Sequence, residues 1–267
     1  MPAALTALLI IFTVTLLGVL VTEVIRVYER QERPPLSRAT VSRLIREWCT
    51  LLLFTLTAPL ALLPSWPRRP LSDGPPQPPI LLVPGYGLHR MGLIPLAAYL
   101  RRRQHRWVWA VNNPTWRNDI PAFAESLSRT VERMRRVSGA DQVDIVGHSM
   151  GGIVAAHYIN HAGGAGVVRR LVTMGSPWQG TKMHIFGVGR QCHALAQDSL
   201  EIRGACPVAA PVTTLWSPTD GTILPVSNAT FEGAHAVELE NLGHNSMVFS
   251  LQTMRAVEAA LSGGGEE

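Results

Sequence analysis

The sequence predicts an α/β fold, a mostly parallel sheet of about six strands with helices on both faces, preceded by an N-terminal membrane-helix region. Three observations support this prediction. Short apolar runs alternate with longer runs of helical periodicity from Ile80 to Ser262. Residues 3–21 carry no charge at all. A lone serine, Ser149, stands between glycines directly after one of the apolar runs.

The composition restricts the class of protein. A chain of 267 residues can bury one large core and still carry an appendage. Only 16% of the residues are charged, and the net charge of +5 is spread over 24 basic and 19 acidic residues. The most basic run, residues 101–106, is typical of a solvated helix end. We therefore expect no nucleic acid partner, and nothing indicates a partner protein.

Residues 1–63 form the predicted membrane region. An anchor helix is predicted at about residues 3–27, because the uncharged run is long enough to cross a hydrocarbon core of ~30 Å. No basic residue precedes this run, unlike the start of a signal peptide, so we expect the anchor to be retained. A second apolar segment, residues 48–63, contains Pro59 and is compatible either with a second span or with an interfacial position.

The arginines between the two apolar segments predict the orientation. By the positive-inside rule this connector belongs in the cytoplasm. If both segments cross, the rest of the chain faces the periplasm or the exterior, which is the arrangement we expect in a bacterial inner membrane. If only the first crosses, the domain stays on the side of the arginines. The connector arginines are Arg26, Arg30, Arg33, Arg38, Arg43 and Arg46.

A proline-rich linker separates the membrane region from the globular domain. Residues 64–79 contain seven prolines, which exclude a helix or a central strand and predict a stiff, extended spacer. The α/β domain is predicted at residues 80–262, with a disordered tail at residues 263–267.

The strands and helices of this domain follow from their apolar patterns. The first strand is the fully apolar run 80–83, which ends at Pro-Gly. A helix begins at Asp119, because apolar residues recur at helical spacing until Ser138-Gly139 stops it. Further helices are predicted at residues 150–164 and 246–262. The remaining strands are predicted at residues 106–112, 142–147, 168–176, 212–218 and 234–241.

The segment Gly147-His148-Ser149-Met150-Gly151 lies between a predicted strand and a predicted helix. This is the context that a G-x-S-x-G motif requires. We expect the serine to adopt a costly backbone conformation and the flanking glycines to prevent collisions with it. A serine oxygen exposed above the end of a sheet is suited to attack a carbonyl carbon.

The stretch VDIVGHSMGG resembles the nucleophile elbow of α/β-hydrolases, in particular of lipases and esterases. The resemblance covers residues 80–262 and implies an α/β-hydrolase fold with the chain order serine, acid, histidine. Asp220, in a D-G-x-I-x-P pattern, matches the acid, and His244, in NLGHNSM, matches the histidine. His244 would accept the proton of Ser149, while Asp220 would fix its tautomer. Asp198 is the alternative acid.

The resemblance also implies an oxyanion hole made of two main-chain N–H groups. One belongs to Met150 and the other to Tyr86 in LLVPGYG. Related lipases have His-Gly where this chain has Pro84-Gly85. A main-chain donor survives that replacement, but any role of the missing histidine in shaping the loop is lost.

A short cap is predicted at residues 181–211, since a connection this long is often a lid or a binding loop. Within it, Cys192 and Cys206 could form a disulfide in an oxidising compartment. No cofactor and no metal are expected, because His157 and His161 lack the glutamate of an H-E-x-x-H motif.

These features together predict a membrane-anchored serine hydrolase that cleaves carboxylic ester bonds of lipids or apolar esters, of the triacylglycerol lipase or carboxylesterase type. Its partners would be the ester substrate and the lipid bilayer. An acyltransferase or thioesterase with the same triad is the alternative. A non-catalytic membrane module of the same fold is the less favoured alternative, because all three triad positions are filled.

Overall fold

The computed structural model describes residues 2–31, 37–71, 77–113 and 119–263. Its centre is a six-stranded, fully parallel sheet with the strand order β2-β1-β3-β4-β5-β6. The predicted α/β class and the mostly parallel sheet are therefore confirmed. The strands are β1 Ile80–Val83, β2 Val108–Ala110, β3 Val143–His148, β4 Val168–Met174, β5 Val212–Trp216 and β6 His235–Glu238.

Eight α-helices accompany the sheet in the described part of the chain. Two of them, α6 and α7, lie in the cap, where the sequence predicts no helix, and α3 ends in the basic run that the sequence predicts as a helix end. The final helix starts later than residue 246, because residues 246–249 form a 3-10 turn and Ser250 is extended (ψ 130°). The helices are α1 Pro2–Arg30, α2 Arg38–Thr57, α3 Ile94–Gln104, α4 Ile120–Ser138, α5 Met150–His161, α6 Arg190–His193, α7 Leu200–Arg203 and α8 Leu251–Ser262.

Apolar side chains fill both sides of the sheet. On one side α4 and α5 pack against β1 and β3, through residues such as Phe123, Leu127 and Ile153. On the other side α3 and α8 cover the sheet, and Phe54 of α2 joins the same cluster. Two buried layers of this kind hold the carboxyl ends of the strands in fixed positions, and the loops at those ends carry the candidate site.

Helices α1 and α2 form an N-terminal hairpin. The rings of Phe12 and Trp48 meet edge to face with centroids 4.5 Å apart, and Trp48 Nε1 donates to Thr15 Oγ1 at 3.1 Å. Glu23 of α1 pairs with Arg43 of α2 at 2.7 Å. Two helical segments, Ala4–Arg30 and Arg38–Leu62, are long and apolar enough to cross a membrane.

Helix α2 also packs along the α/β domain, with Arg43, Glu47, Thr50 and Phe54 buried. In the middle of the helix, just before the second apolar segment, Arg46 donates to the carbonyl of Asn241 at 2.8 Å. Further along, His89 donates from Nε2 to the carbonyl of Phe54 at 2.8 Å. Just beyond its end, the Asn112 amide donates to the carbonyl of Ala61 at 2.8 Å. Both ends of the second apolar segment thus contact the same globular domain.

The described parts of the proline-rich linker also contact the domain. The main chains of Arg68 and Val108 exchange two hydrogen bonds, at 2.9 and 3.1 Å, along the outer edge of β2. The guanidinium of Arg133 lies 4.4 Å from the ring centre of Trp66. An edge strand leaves main-chain groups unpaired, so this segment covers the edge of the sheet. Linker residues 72–76, connector residue Arg33 and tail residues 264–267 lie outside the described residues.

Candidate active site

Ser149 connects β3 to α5 in a strained conformation, with φ 55° and ψ −129°. Its N–H donates to the carbonyl of Met174 at 2.9 Å, which ties the turn to β4. A non-glycine residue with positive φ costs about 1–3 kcal/mol, and such residues cluster at functional sites. The strain expected from the sequence is therefore present at the serine.

The two motif glycines are required for a different reason from the one expected. A Cβ at Gly147 would lie 2.5 Å from the main-chain nitrogen of Gly152, and a Cβ at Gly151 would overlap the carbonyl of Val83. The first turn of α5 passes too close to the elbow and to the end of β1 for any side chain. These glycines make room for neighbouring main chain, whereas Gly85 is the residue that makes room for the serine itself, since its Cβ would lie 2.7 Å from Ser149 Cβ.

Three of the predicted residues are brought together at the carboxyl ends of the strands. The Ser149 hydroxyl donates to Nε2 of His244 at 2.9 Å. Nδ1 of His244 donates to Oδ2 of Asp220 at 2.8 Å. All three side chains are buried, and they come from positions 149, 220 and 244, up to 95 residues apart.

Asp220 is held firmly at its second oxygen. Oδ1 accepts the main-chain N–H groups of Thr222 at 2.7 Å and Ile223 at 3.1 Å. These bonds leave Oδ2 directed at the histidine. The alternative acid, Asp198, is exposed on the cap, so Asp220 is the carboxylate that contacts His244.

Two buried histidines with opposite pKa shifts lie side by side, their ring centres 4.9 Å apart. Burial lowers the pKa of His244, but the charge and hydrogen bond of Asp220, helped by the charge of Glu47, outweigh this, and the pKa is raised overall. Burial lowers the pKa of His148 to about 3, and the neighbouring His244 adds to the shift. His148 therefore stays neutral, and its Nε2 donates to the main-chain carbonyl of His244 at 3.0 Å.

The two predicted oxyanion donors lie beside the serine. Met150 is the first residue of α5, so its N–H has no acceptor within the helix. Tyr86 lies in the loop after β1, next to Gly85, where a Cβ would lie 2.7 Å from Ser149 Cβ. The Tyr86 side chain has a second contact that the sequence did not indicate: its hydroxyl donates to the carbonyl of Val188 and accepts from the N–H of Val188, both at 2.7 Å. This pair of bonds joins the loop to the cap.

A cavity of about 340 Å³ opens over Ser149 and His244. This volume is within the range of small-molecule sites. Most of the lining is apolar. The cap lines the cavity through Met183, Phe186 and Leu195, and the hairpin lines it through Thr22 and Leu51. Ile223, in the loop after β5, also contributes.

The disulfide considered from the sequence is absent, because Cys192 and Cys206 are both free thiols. The Cys192 thiol donates to the carbonyl of His184 at 3.1 Å and lines the cavity. Cys206 packs instead against the core cluster on the α4–α5 side of the sheet. Sequence spacing gave no information about these directions, and the structure turns the two side chains to different surroundings.

His157 and His161 hold the cap in place. Nε2 of His157 donates to the carbonyl of Glu201 at 2.6 Å, and Nε2 of His161 donates to the carbonyl of Gly204 at 2.9 Å. Among the described residues, no group of three or more His, Cys, Asp or Glu side chains could hold a metal ion. The i, i+4 spacing that resembles a metal site is used here to bind main-chain carbonyls of the cap.

The fold and the elbow define an α/β protein with a serine, a histidine and an aspartate in contact at the sheet's carboxyl edge. The model of the alpha/beta hydrolase family matches residues 80–227, more than half of the chain. The chain therefore belongs to the alpha/beta hydrolase family, and the resemblance drawn from the elbow is confirmed.

Several solved structures share this fold at low identity. A Bacillus licheniformis lipase in its mature form is 14% identical, with a TM-score of 0.63 over 74% of this chain and 98% of that chain. Aspergillus fumigatus lipase B is 16% identical, with a TM-score of 0.60 over 73% of this chain and 56% of its own. A bacterial membrane phospholipase A is 17% identical, with a TM-score of 0.50 over 84% of this chain and 94% of its own. At these identities the likeness concerns the fold.

Proposed function

We propose that the protein is a membrane-associated serine hydrolase that cleaves carboxylic ester bonds of lipids or other apolar esters. The observation that carries this proposal is the chain of two hydrogen bonds from Ser149 through His244 to Asp220, 2.9 and 2.8 Å long, on a strained elbow. A carboxylate that fixes the histidine tautomer leaves Nε2 free to accept the serine proton. That is the arrangement a nucleophilic serine requires.

The reaction would proceed in two steps. Ser149 Oγ attacks the ester carbonyl while its proton passes to His244 Nε2. The tetrahedral intermediate collapses, and the departing alcohol takes that proton, which leaves an acyl-serine. Water, deprotonated by the same nitrogen, then attacks the acyl carbon and releases the carboxylic acid. The N–H groups of Tyr86 and Met150 would stabilise the negative oxygen of each intermediate.

The surroundings of the site support an apolar substrate. The cavity lining is mainly apolar, and the cap beside it exposes Ile185, Phe186 and Val188 to the outside. Exposed apolar side chains in a cluster commonly mark a lipid or protein contact. Lipases are also among the proteins of similar fold. An ester with a long acyl chain fits these features better than a charged one.

Replacement of the serine tests the proposal. Ser149→Ala should abolish both hydrolysis of p-nitrophenyl esters and labelling by a fluorophosphonate probe. Ser126→Ala, on the outer helix α4, is the control and should leave both unchanged. Labelling that persists in Ser149→Ala would refute the assignment. Comparing water with an alcohol as the acyl acceptor separates a hydrolase from an acyltransferase. Comparing an ester with the matching thioester as the substrate separates an esterase from a thioesterase.

We further propose that α1 is the membrane anchor and that α2 does not cross the bilayer. Every residue from 4 to 10 and from 12 to 14 is exposed, and this part of α1 is almost entirely apolar. Residues 4–14 extend about 16 Å as a helix, enough to enter a leaflet. In contrast, the carbonyl of Ala39 near the start of α2 and that of Ala61 just past its end both accept hydrogen bonds from the catalytic domain, so the two ends would lie on the same side of a membrane.

This arrangement puts the catalytic domain on the side of the connector arginines. By the positive-inside rule that side is the cytoplasm, so the outward orientation expected from two spans is not the one we propose. A fluorescent-protein fusion and an alkaline phosphatase fusion at the C-terminus test it in a bacterial inner membrane. We expect the first to fluoresce and the second to be inactive, and the opposite result would refute the orientation.

A further inference from the structure

A carboxylate from the N-terminal hairpin reaches the loop that carries His244. Glu47 of α2 is 7% exposed. Its Oε1 accepts the main-chain N–H of Asn245 at 2.7 Å and the Asn245 side-chain amide at 2.8 Å. Its Oε2 accepts the main-chain N–H of Ser246 at 2.8 Å. Three hydrogen bonds from one carboxylate therefore hold the two residues that directly follow the histidine.

The loop is shaped to receive this carboxylate. A Cβ at Gly243, the residue before His244, would overlap the Glu47 side chain. The N–H of Gly243 donates to Ser246 Oγ at 3.0 Å, which closes a tight turn around the histidine. Glu47 thus occupies the space that a side chain at position 243 would fill, and the loop cannot shift toward α2 or away from it without losing bonds.

The rest of the hairpin fixes Glu47 against the domain. One turn before it, Arg43 is bound by Glu23, and Arg46 donates to the carbonyl of Asn241 in the loop before His244. Leu51, one turn after it, lines the cavity over the serine. The helix that carries Glu47 is therefore placed by contacts on both sides of the carboxylate.

We propose that Glu47 is a positioning residue that fixes the orientation of His244, so that the N-terminal hairpin is part of the active site. This inference rests on the proposed function, because it assigns Glu47 a role in the same reaction. Glu47 touches neither the substrate cavity nor the reacting atoms. It acts through the two amides and the Asn245 side chain, which hold the histidine at the distance from Ser149 that proton transfer requires.

The charge of Glu47 gives this role a signature in the pH dependence. The titratable groups that face His244 are Asp220 from the loop after β5, His148 from β3 and Glu47 from α2. His148 is neutral, whereas the charges of Asp220 and Glu47 both raise the pKa of His244. Loss of the Glu47 charge should lower that pKa, and His244 would then remain neutral and active to lower pH.

Three variants of the full-length protein, purified in detergent, separate position from charge. Glu47→Gln keeps the size of the side chain but removes its charge and one acceptor oxygen. Glu47→Asp keeps the charge but is one methylene too short to make the same bonds. Glu29→Gln is the matched control, because Glu29 is another hairpin carboxylate that binds the domain, through Lys182 at 2.6 Å, away from the histidine loop.

For each variant the measurement is the pH profile of kcat and of kcat/KM for a p-nitrophenyl ester. We expect Glu47→Gln to reduce kcat roughly 10–100-fold, the loss that misplacement of a catalytic group by about 1 Å can cause. Its acid limb should move to lower pH. Glu47→Asp should also lose kcat, but its acid limb should stay with that of the wild type. Glu29→Gln should match the wild type in both respects.

The inference is overturned if Glu47→Gln keeps the wild-type kcat and acid limb. It is also overturned if Glu29→Gln reproduces the changes, because the effect would then come from general docking of the hairpin. Circular dichroism of each variant, compared with the wild type, identifies a protein that has not folded, and Glu47→Asp then supplies the test. Failure of the wild type itself to react with a fluorophosphonate would refute the proposed function instead.

Discussion

The hairpin and the catalytic domain distribute their side chains in opposite ways. The domain buries its apolar residues in two clusters around the sheet. The hairpin exposes apolar residues to the outside, among them Leu5, Leu8, Leu9, Ile10, Leu17 and Val24. Its buried side chains are largely polar, namely Thr15, Arg26, Arg43, Glu47 and Thr50. A helix of a soluble protein shows the reverse pattern.

This difference shows that the hairpin has two separate environments to satisfy. Its polar side forms hydrogen bonds with the domain, and its apolar side is exposed, as the proposed membrane anchor requires. Neither part contains a complete site by itself, because the domain supplies the three hydrogen-bonded side chains and the hairpin supplies Glu47, Thr22 and Leu51. The following predictions test this division, beginning with the largest expected effect.

Among the side chains of the catalytic domain other than Ser149 and His244, replacement of the Asp220 carboxylate should reduce the rate most. Asp220→Asn should lower kcat about 10³–10⁴-fold at neutral pH, because an amide no longer fixes the histidine tautomer that accepts the serine proton. The measurement is steady-state ester hydrolysis, with Asp198→Asn on the exposed cap as the control. A loss of less than about tenfold would mean that the domain's hydrogen-bond chain is not the centre of the reaction.

Removal of the hairpin should show how much it contributes to kcat/KM. Deletion of residues 2–63 takes away Glu47 and the cavity wall formed by Thr22 and Leu51. We expect kcat/KM to fall by about 10²-fold and the truncated protein to aggregate, since the domain surface beneath Phe54 becomes exposed. Size-exclusion chromatography and ester hydrolysis give the two results. Full activity of a monomeric truncated protein would reduce the hairpin to an anchor.

The two neighbouring histidines predict the shape of the pH profile. His244 must be neutral to accept the proton, so kcat/KM should fall about tenfold per pH unit below its pKa. An ordinary imidazole has a pKa of about 6.5. Because the pKa of His244 is raised, the acid limb should lie above that value. His148, with a pKa of about 3, should add no second limb in the same range. A limb well below 6.5 would contradict the control of His244 by Asp220 and Glu47.

The smallest effect is expected at the contact between the domain and its cap, which does not involve the hairpin. Tyr86→Phe removes the hydroxyl that bonds the main chain of Val188 but keeps the N–H of residue 86. Both hydrogen bonds are exposed to solvent, so their joint loss should cost only about 1 kcal/mol, and KM should rise roughly fivefold with little change in kcat. A large fall in kcat would mean that the hydroxyl supports the oxyanion loop as well as the cap.

Much of the fold could be predicted because the relevant signals are local. The six strands, α4 and α5 follow from apolar runs and their stop signals, and the elbow follows from Gly147 to Gly151. The sequence indicates helix α3 only through its basic end, because the helix has little amphipathic pattern. The role of Gly85 was missed as well, since it depends on the passage of one loop against Ser149.

The sequence by itself determined the class of fold, the serine turn, the order of the three site residues and the apolar character of the first helix, because each depends on neighbouring residues or on a fixed motif. Only the tertiary structure decided that α2 lies along the domain, that Cys192 and Cys206 remain apart, and that Glu47 holds the histidine loop from 198 residues away. These features depend on contacts between segments that are far apart in the sequence. Such contacts form only when the chain packs, and they leave no periodicity or spacing in the local sequence.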